Sequence, residues 1–236
     1  MSHALTLRDG LMAGGAPRMW ERAMRESLPA VRAAVPPESR VLEVGYGDGL
    51  LSCFLAAELG WHITGLDIHP AATESARAAA KAYKLEDRLD FRLVQPEETR
   101  RHSGHYNAVF AKTVFYTACS MEEYREWLDW IVSVLEPGGI LVNYDTGRAN
   151  AILQAYRRLR GREYTDLSLF TGEIERLYDE RFMPLFRRYY GGLSQFLAPL
   201  PGFYQVAARV EEWLAKRTAD NCFIVSMVAR VRDKVG

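Results

Sequence analysis

Val41-Leu42-Glu43-Val44-Gly45-Tyr46-Gly47-Asp48-Gly49 is the stretch that decides the fold of this 236-residue chain. Four residues, VLEV, have the composition of a short buried strand. Glycines then fall at alternate positions, and the apolar run from Leu50 can open a helix. A glycine loop between strand and helix lets a ligand approach the backbone, because glycine has no Cβ and adopts positive φ without strain. The helix start adds free N–H groups aimed at that ligand. Eighteen residues past Gly49, Asp67 closes a second strand, His62–Asp67. An acid there can accept both hydroxyls of a ribose, and it can also cap the helix that follows. The pattern points to a nucleoside-containing cofactor lying across the carboxyl ends of a parallel sheet.

The spacing narrows the cofactor. A dinucleotide fingerprint requires G-x-G-x-x-G. Gly45 and Gly47 fit it, but Leu50 stands where the third glycine belongs, and Gly49 comes one residue early. Glu43 would also sit badly beside a pyrophosphate, whereas it suits an ammonium or sulfonium group. The pattern E-x-G-x-G-x-G followed by a strand-terminal acid resembles the class I S-adenosylmethionine-dependent methyltransferases. The resemblance runs from about residue 38 to residue 146. It takes in a fourth-strand segment, Tyr106 to Ala111, and the run Leu135-Glu136-Pro137-Gly138-Gly139-Ile140-Leu141-Val142.

The resemblance implies an α/β, Rossmann-like fold: a mostly parallel sheet with helices on both faces and a late antiparallel strand. It implies S-adenosylmethionine as cofactor. Gly45, Gly47 and Gly49 would pack against its methionine and ribose portions, and Glu43 would face the amino end. Asp67 would hold the ribose, with Ile68 beside the adenine. At the third-strand end the family often has Asp; here Gln95 aligns, with Glu97 as the alternative acceptor. Ala111 and Lys112 would contribute main chain near the methionine ammonium. An N-P-P-Y motif is absent after the fourth strand, which argues against adenine in DNA as the acceptor.

The expected domain organisation is an N-terminal helical cap, residues 1–37, then a methyltransferase domain, 38–236, with a helical and aromatic-rich insertion at about 147–217. Trp20, Met24, Leu28, Val31 and Val35 recur at helical spacing, and Pro36-Pro37 ends that helix. It either covers the cofactor and substrate or packs on the sheet. Strands at 62–67, 89–94, 106–111 and 139–144 alternate with helices, which implies right-handed crossovers. Residues 222–229 make a late strand. The sixth strand cannot be placed from the sequence.

Methyl transfer from a sulfonium needs alignment above all, and a base only if the acceptor must lose a proton. No catalytic residue can therefore be named. Trp20, Tyr116 and Tyr190 are the candidates to meet the acceptor. The segment Phe182 to Tyr204 is dense in aromatics and breaks at Pro184, Gly191 and Pro199. It forms either an apolar pocket, suited to a small or lipid-linked acceptor, or ordinary core. Asp145 reads as a base or as a helix cap.

Thirty basic and thirty acidic residues cancel, so no global field favours nucleic acid. Cys53, Cys119 and Cys222 follow no metal spacing. No apolar run is long enough to span a membrane, and no leader precedes the first helix, so a reducing cytoplasm is expected. The expected activity is methylation of an oxygen or nitrogen on a small, partly apolar molecule. A non-catalytic cofactor-binding module and a dinucleotide-dependent oxidoreductase are the alternatives, the latter disfavoured by Leu50 and Glu43.

Overall fold

The computed structural model describes residues 5–7, 9–11, 17–115, 118, 120–146, 172–190, 206, 209–210 and 224–232. Along the chain come α1 (Pro17–Ala34), β1 (Arg40–Val44), α2 (Leu50–Leu59), β2 (His62–Asp67), α3 (Pro70–Tyr83), β3 (Leu89–Leu93) and the short α4 (Pro96–Thr99). They are followed by β4 (Tyr106–Lys112), α5 (Met121–Val134), β5 (Leu135–Thr146), α6 (Gly172–Arg181), β6 (Phe182–Tyr190) and β7 (Ile224–Val231).

The strands form one sheet in the order β3-β2-β1-β4-β5-β7-β6. Pairing is parallel from β3 through β5. β7 runs antiparallel between β5 and the edge strand β6. The strand order reverses between β1 and β4, and that is where an open α/β sheet leaves a crevice at its carboxyl ends.

Alternation along each strand sorts side chains to two cores. On one face Val41, Phe110, Val142, Tyr144 and Tyr190 meet Trp20, Met24 and Val31 of α1 and Phe54 and Leu55 of α2. On the other, Leu42, Val109, Leu141 and Met227 meet Tyr124, Trp127 and Ile131 of α5 and Leu177 and Tyr178 of α6. α2 is buried on nearly every side, which explains its unbroken LLSCFLAAEL run. α1 is held by more than apolar contact: Ser27 Oγ and Tyr144 OH share a buried hydrogen bond of 2.6 Å.

The sixth strand forms the first part of the aromatic segment that starts at Phe182. β6 reads FMPLFRRYY, with no clean alternation and a proline inside it. Its pairing with β7 slips between Pro184 and Phe186. An edge strand with an irregularity is where a sheet accommodates a residue that lacks an N–H. Residues 172–190, expected within an insertion, thus supply a helix and an edge strand of the central sheet. The rest of the expected insertion, 147–171 and 191–217, lies outside the described residues, apart from isolated positions. So do Tyr116, Cys119 and Cys222. Among the described residues no helix is long and apolar enough to cross a membrane.

Candidate functional site

Gly45, Gly47 and Gly49 all take left-handed backbone, with φ of 74°, 57° and 74°. They turn the chain from β1 into α2, but their surroundings differ. A Cβ added at Gly47 would meet nothing within 4 Å. One added at Gly49 would lie 2.6 Å from Ala76 Cβ and 2.7 Å from Ala76 Cα. Gly47 therefore borders open space, whereas Gly49 lets the start of α2 press against α3.

β2 anchors the loop. The Gly45 amide donates to the Leu66 carbonyl at 2.8 Å, and the Gly47 amide donates to Asp67 Oδ2 at 2.9 Å. The other carboxylate oxygen, Oδ1, accepts the His69 amide at 3.0 Å. Tyr46 is tucked beneath the loop: its hydroxyl and Thr73 Oγ1 share a bond of 2.6 Å, and its ring lies 4.7 Å from that of Phe91. Gly65 makes room for it, since a Cβ there would stand 2.6 Å from the Tyr46 ring.

At the carboxyl ends of β2, β1 and β4 these residues border a cleft of about 550 Å³. Val44, Gly45, Gly47, Leu66, Asp67, Ile68 and His69 line one side. Pro96, Glu97, Thr99 and Arg100 line another, and Lys112, Thr113, Val114, Glu123 and Trp127 the rest. Thr113 holds φ 55° although it is β-branched, a conformation that costs on the order of 1–3 kcal/mol. Its amide donates to the Tyr144 carbonyl at 2.7 Å, which pins this bend at the cleft wall.

Of the cofactor contacts expected from the sequence, Gly45, Gly47, Asp67, Ile68 and Lys112 line the cleft. Gly49, Gln95, Ala111 and Glu43 do not. Gly49 is given over to helix packing. Gln95 is the residue before α4, and its amide donates to Glu98 Oε2 at 3.1 Å; the neighbouring Glu97 takes the place on the wall. Ala111 is fully buried against α5 and its surroundings. Glu43 lies beneath the loop, 2% exposed, with Oε2 lacking any hydrogen-bond partner.

Burial pushes the Glu43 carboxyl up to about 7, against the pull of the nearby Ser52 hydroxyl and the Lys112 ammonium. Burial in turn lowers the Lys112 ammonium, while the Glu43 and Asp48 carboxylates raise it back in part. Lys112 Nζ rests 5.0 Å from the centroid of the Trp20 ring, a cation–π distance. Trp20 thus reaches the cleft through Lys112 and does not line it. Tyr190 is likewise remote: its hydroxyl donates to Glu26 Oε2 of α1 at 3.0 Å, with Arg22 and Arg188 over its ring.

Asp145, next to last in β5, sits on the sheet face opposite Lys112 and Tyr190, beside Tyr124 and Tyr178. Its Oδ1 accepts the Thr146 amide at 2.8 Å, and Tyr124 OH donates to Oδ2 at 3.5 Å. Tyr124 and Tyr178 share a bond of 3.2 Å, and Asn143 Nδ2 donates to Tyr178 OH at 2.9 Å. Burial pushes the Asp145 carboxyl up to about 7.

Trp127 belongs to the packing stripe of α5 and stacks edge-on against Trp130, and at the start of that helix Glu123 N–H donates to Ser120 Oγ at 3.0 Å. Both also line the cleft, because a crossover helix starts at the carboxyl edge of the sheet. Arg100 joins them, its guanidinium 5.6 Å from the Trp127 ring centroid and 2.6 Å from Glu126 Oε2. No spacing in the sequence marks Arg100; only the fold brings α4 to α5. Among the described residues no group of acids, histidines and cysteines is placed to hold a metal ion.

Residues 41–139 match the family model described as a methyltransferase domain. No curated protein sequence matches the chain. Many solved structures resemble it. The N-methyltransferase NodS from Bradyrhizobium japonicum WM9, solved with S-adenosyl-L-homocysteine, shares 18% identity over 96% of this chain and 97% of its own, with a TM-score of 0.60. Geranyl diphosphate C-methyltransferase from Streptomyces coelicolor A3(2) shares 14% identity over 97% and 84%, with a TM-score of 0.59. The [4+2]-cyclase SpnF shares 21% identity over 89% and 82%, with a TM-score of 0.59. At these identities the likeness is one of fold.

Proposed function

We propose that this chain, whose residues 41–139 match the methyltransferase-domain model, is an S-adenosylmethionine-dependent methyltransferase of the class I fold that methylates an oxygen or nitrogen of a small, partly apolar acceptor. The observation that carries the reading is the pairing of Gly47, left-handed and open to the cleft, with Asp67 across from it.

The residues suit the cofactor on three counts. Gly47 leaves space where the backbone must approach a ligand closely. Asp67 keeps lone pairs toward the cleft after accepting two amides, since a carboxylate offers about four acceptor sites. Glu43 holds an unpartnered oxygen in a buried place, which a cation from the ligand can compensate, directly or through water. The bound cofactor supplies an activated methyl group on a sulfonium.

The chain's own contribution is binding, orientation and exclusion of water. Asp67 orients the ribose end, and Ile68, 44% exposed at the rim, offers an apolar surface to the adenine. Glu97, on the cleft wall where Gln95 is not, is the acceptor for the adenine amino group. Val44, Leu66, Val114 and Trp127 give the cleft an apolar lining, which supports a partly apolar acceptor and strengthens every polar contact inside. Burial raises the carboxyl of Asp145 to about 7 beside Tyr124, in the core that also holds Trp127, but Asp145 does not border the cleft and has no part in this reading.

The test has two stages. Mass spectrometry of ligands that co-purify with the protein is expected to find S-adenosylmethionine or S-adenosylhomocysteine. A screen of alcohols, phenols and amines with methyl-labelled cofactor is then expected to give label on oxygen or nitrogen. Tight cofactor binding with no transfer to any acceptor would favour a regulatory module. Label on carbon would correct the acceptor class.

A further inference from the structure

We infer that Lys112 is the counter-ion for the α-carboxylate at the amino-acid end of the cofactor, held ready by the ring of Trp20; this rests on the methyltransferase reading and adds a charge contact made by the Lys112 side chain.

Lys112 is a half-buried cation on the wall of the cleft, and it makes no ion pair among the described residues. Its one specific partner there is the face of Trp20, 5.0 Å away. A ring face steadies an ammonium without neutralising it. Such a group gains most from an anion brought by a ligand, because desolvation has already been met by the fold.

The sheet fixes which part of the ligand arrives there. β1 and β4 pair with Val44 opposite Ala111, so Gly45 and Lys112 leave adjoining strand ends together. Glu43 pairs with Phe110, which puts Lys112 two residues further on and on the same face as Glu43. Asp67 stands on β2, two strands from Lys112, or roughly 10 Å at ordinary strand spacing. A ligand with its ribose at Asp67 therefore extends its other end past Gly45 toward Lys112.

That other end is a zwitterion. Lys112 on the cleft wall and Glu43, buried beneath the loop on the same face with an unpartnered oxygen, set one positive and one negative charge together, which suits a carboxylate and an ammonium borne by one carbon, the ammonium meeting Glu43 through water. Both ligand charges are compensated and the net charge of the site is unchanged. An anionic acceptor on Lys112 would instead draw away the cation that the buried Glu43 carboxylate faces, which is costly in a low-dielectric place.

The experiment compares two nucleosides that differ only in the carboxylate: S-adenosylhomocysteine and S-adenosyl-3-thiopropylamine. Each is titrated calorimetrically into wild type, Lys112→Met and Lys112→Arg. Methionine keeps the apolar stem against Trp20 and removes the charge. Lys112→Met is expected to weaken S-adenosylhomocysteine by about tenfold to a hundredfold and to leave the amine analogue within about twofold, with Lys112→Arg between. Undiminished binding of the amine also reports an intact fold. Equal losses for both ligands, or no loss for either, overturn the assignment. Wild type that binds neither nucleoside overturns the methyltransferase reading itself, and this assignment with it.

Discussion

The Asp67 carboxylate accepts the Gly47 amide at 2.9 Å, so the strand end that offers an acceptor to the cleft also sets the curve of the loop across from it. Asp67 serves the ligand and the loop together, and its replacement is expected to affect both.

Asp67→Ala is expected to weaken S-adenosylhomocysteine by about tenfold to a few hundredfold, as bonds to a charged acceptor are worth roughly 1.5–3 kcal/mol each. A 2′,3′-dideoxy analogue should lose less, though not nothing, because the Gly47 and His69 amides lose their acceptor as well. The difference between the two losses measures the hydroxyl contacts. Equal losses would confine Asp67 to shaping the loop.

Gly47 and Gly49 separate by assay. Gly49→Ala drives a Cβ to 2.6 Å from Ala76 Cβ, and overpacking of this kind costs about 1–3 kcal/mol or more. A fall in melting temperature is its expected signature. Gly47→Val meets no protein atom near the new Cβ; it adds backbone strain and intrudes on the cleft. Ligand affinity should collapse while the cooperative unfolding transition persists. The reverse pattern would exchange the two roles.

The glycine loop and the end of β2 were legible in the sequence because each is set locally, by glycine conformers and by an acid that closes a strand. β7 was legible as an unbroken apolar run. β6 was not, since FMPLFRRYY reads as a strand only once β7 lies beside it. In the cleft, Asp67 and Gly47 follow from spacing alone. Gly49, Glu43, Arg100 and Trp127 do not, because which atoms reach open space depends on helix packing: α3 closes over Gly49, α2 buries Glu43, and α4 and α5 carry Arg100 and Trp127 inward.

Glu43 makes the ligand-free protein sensitive to pH. Its carboxyl is raised from 4.5 to about 7. Between those values the folded chain keeps a proton that the unfolded chain has lost, so stability falls as pH rises. The full cost, about 3 kcal/mol, is present above about pH 7. Asp145, raised from 3.8 to about 7, adds a fall of the same sign. Urea unfolding at pH 5 and pH 8 is expected to show a smaller drop for Glu43→Gln than for wild type, with Asp145→Asn removing a further share. An identical drop in wild type and Glu43→Gln would contradict the buried, weakly compensated carboxyl.

Ser27 and Tyr144 tie α1 to the sheet. Ser27→Ala is expected to cost about 1–3 kcal/mol by stranding a buried hydroxyl. Tyr144→Phe in the same chain should recover part of that loss, giving a non-additive double-mutant cycle. Additive effects would mean that the two hydroxyls find other partners.

The most direct test of the whole account is a calorimetric titration of the wild-type protein with S-adenosylmethionine, S-adenosylhomocysteine and NAD under one buffer. The cleft described here predicts one-to-one binding of the first two, each far tighter than NAD. NAD binding as tightly as S-adenosylmethionine, or tighter, would contradict it.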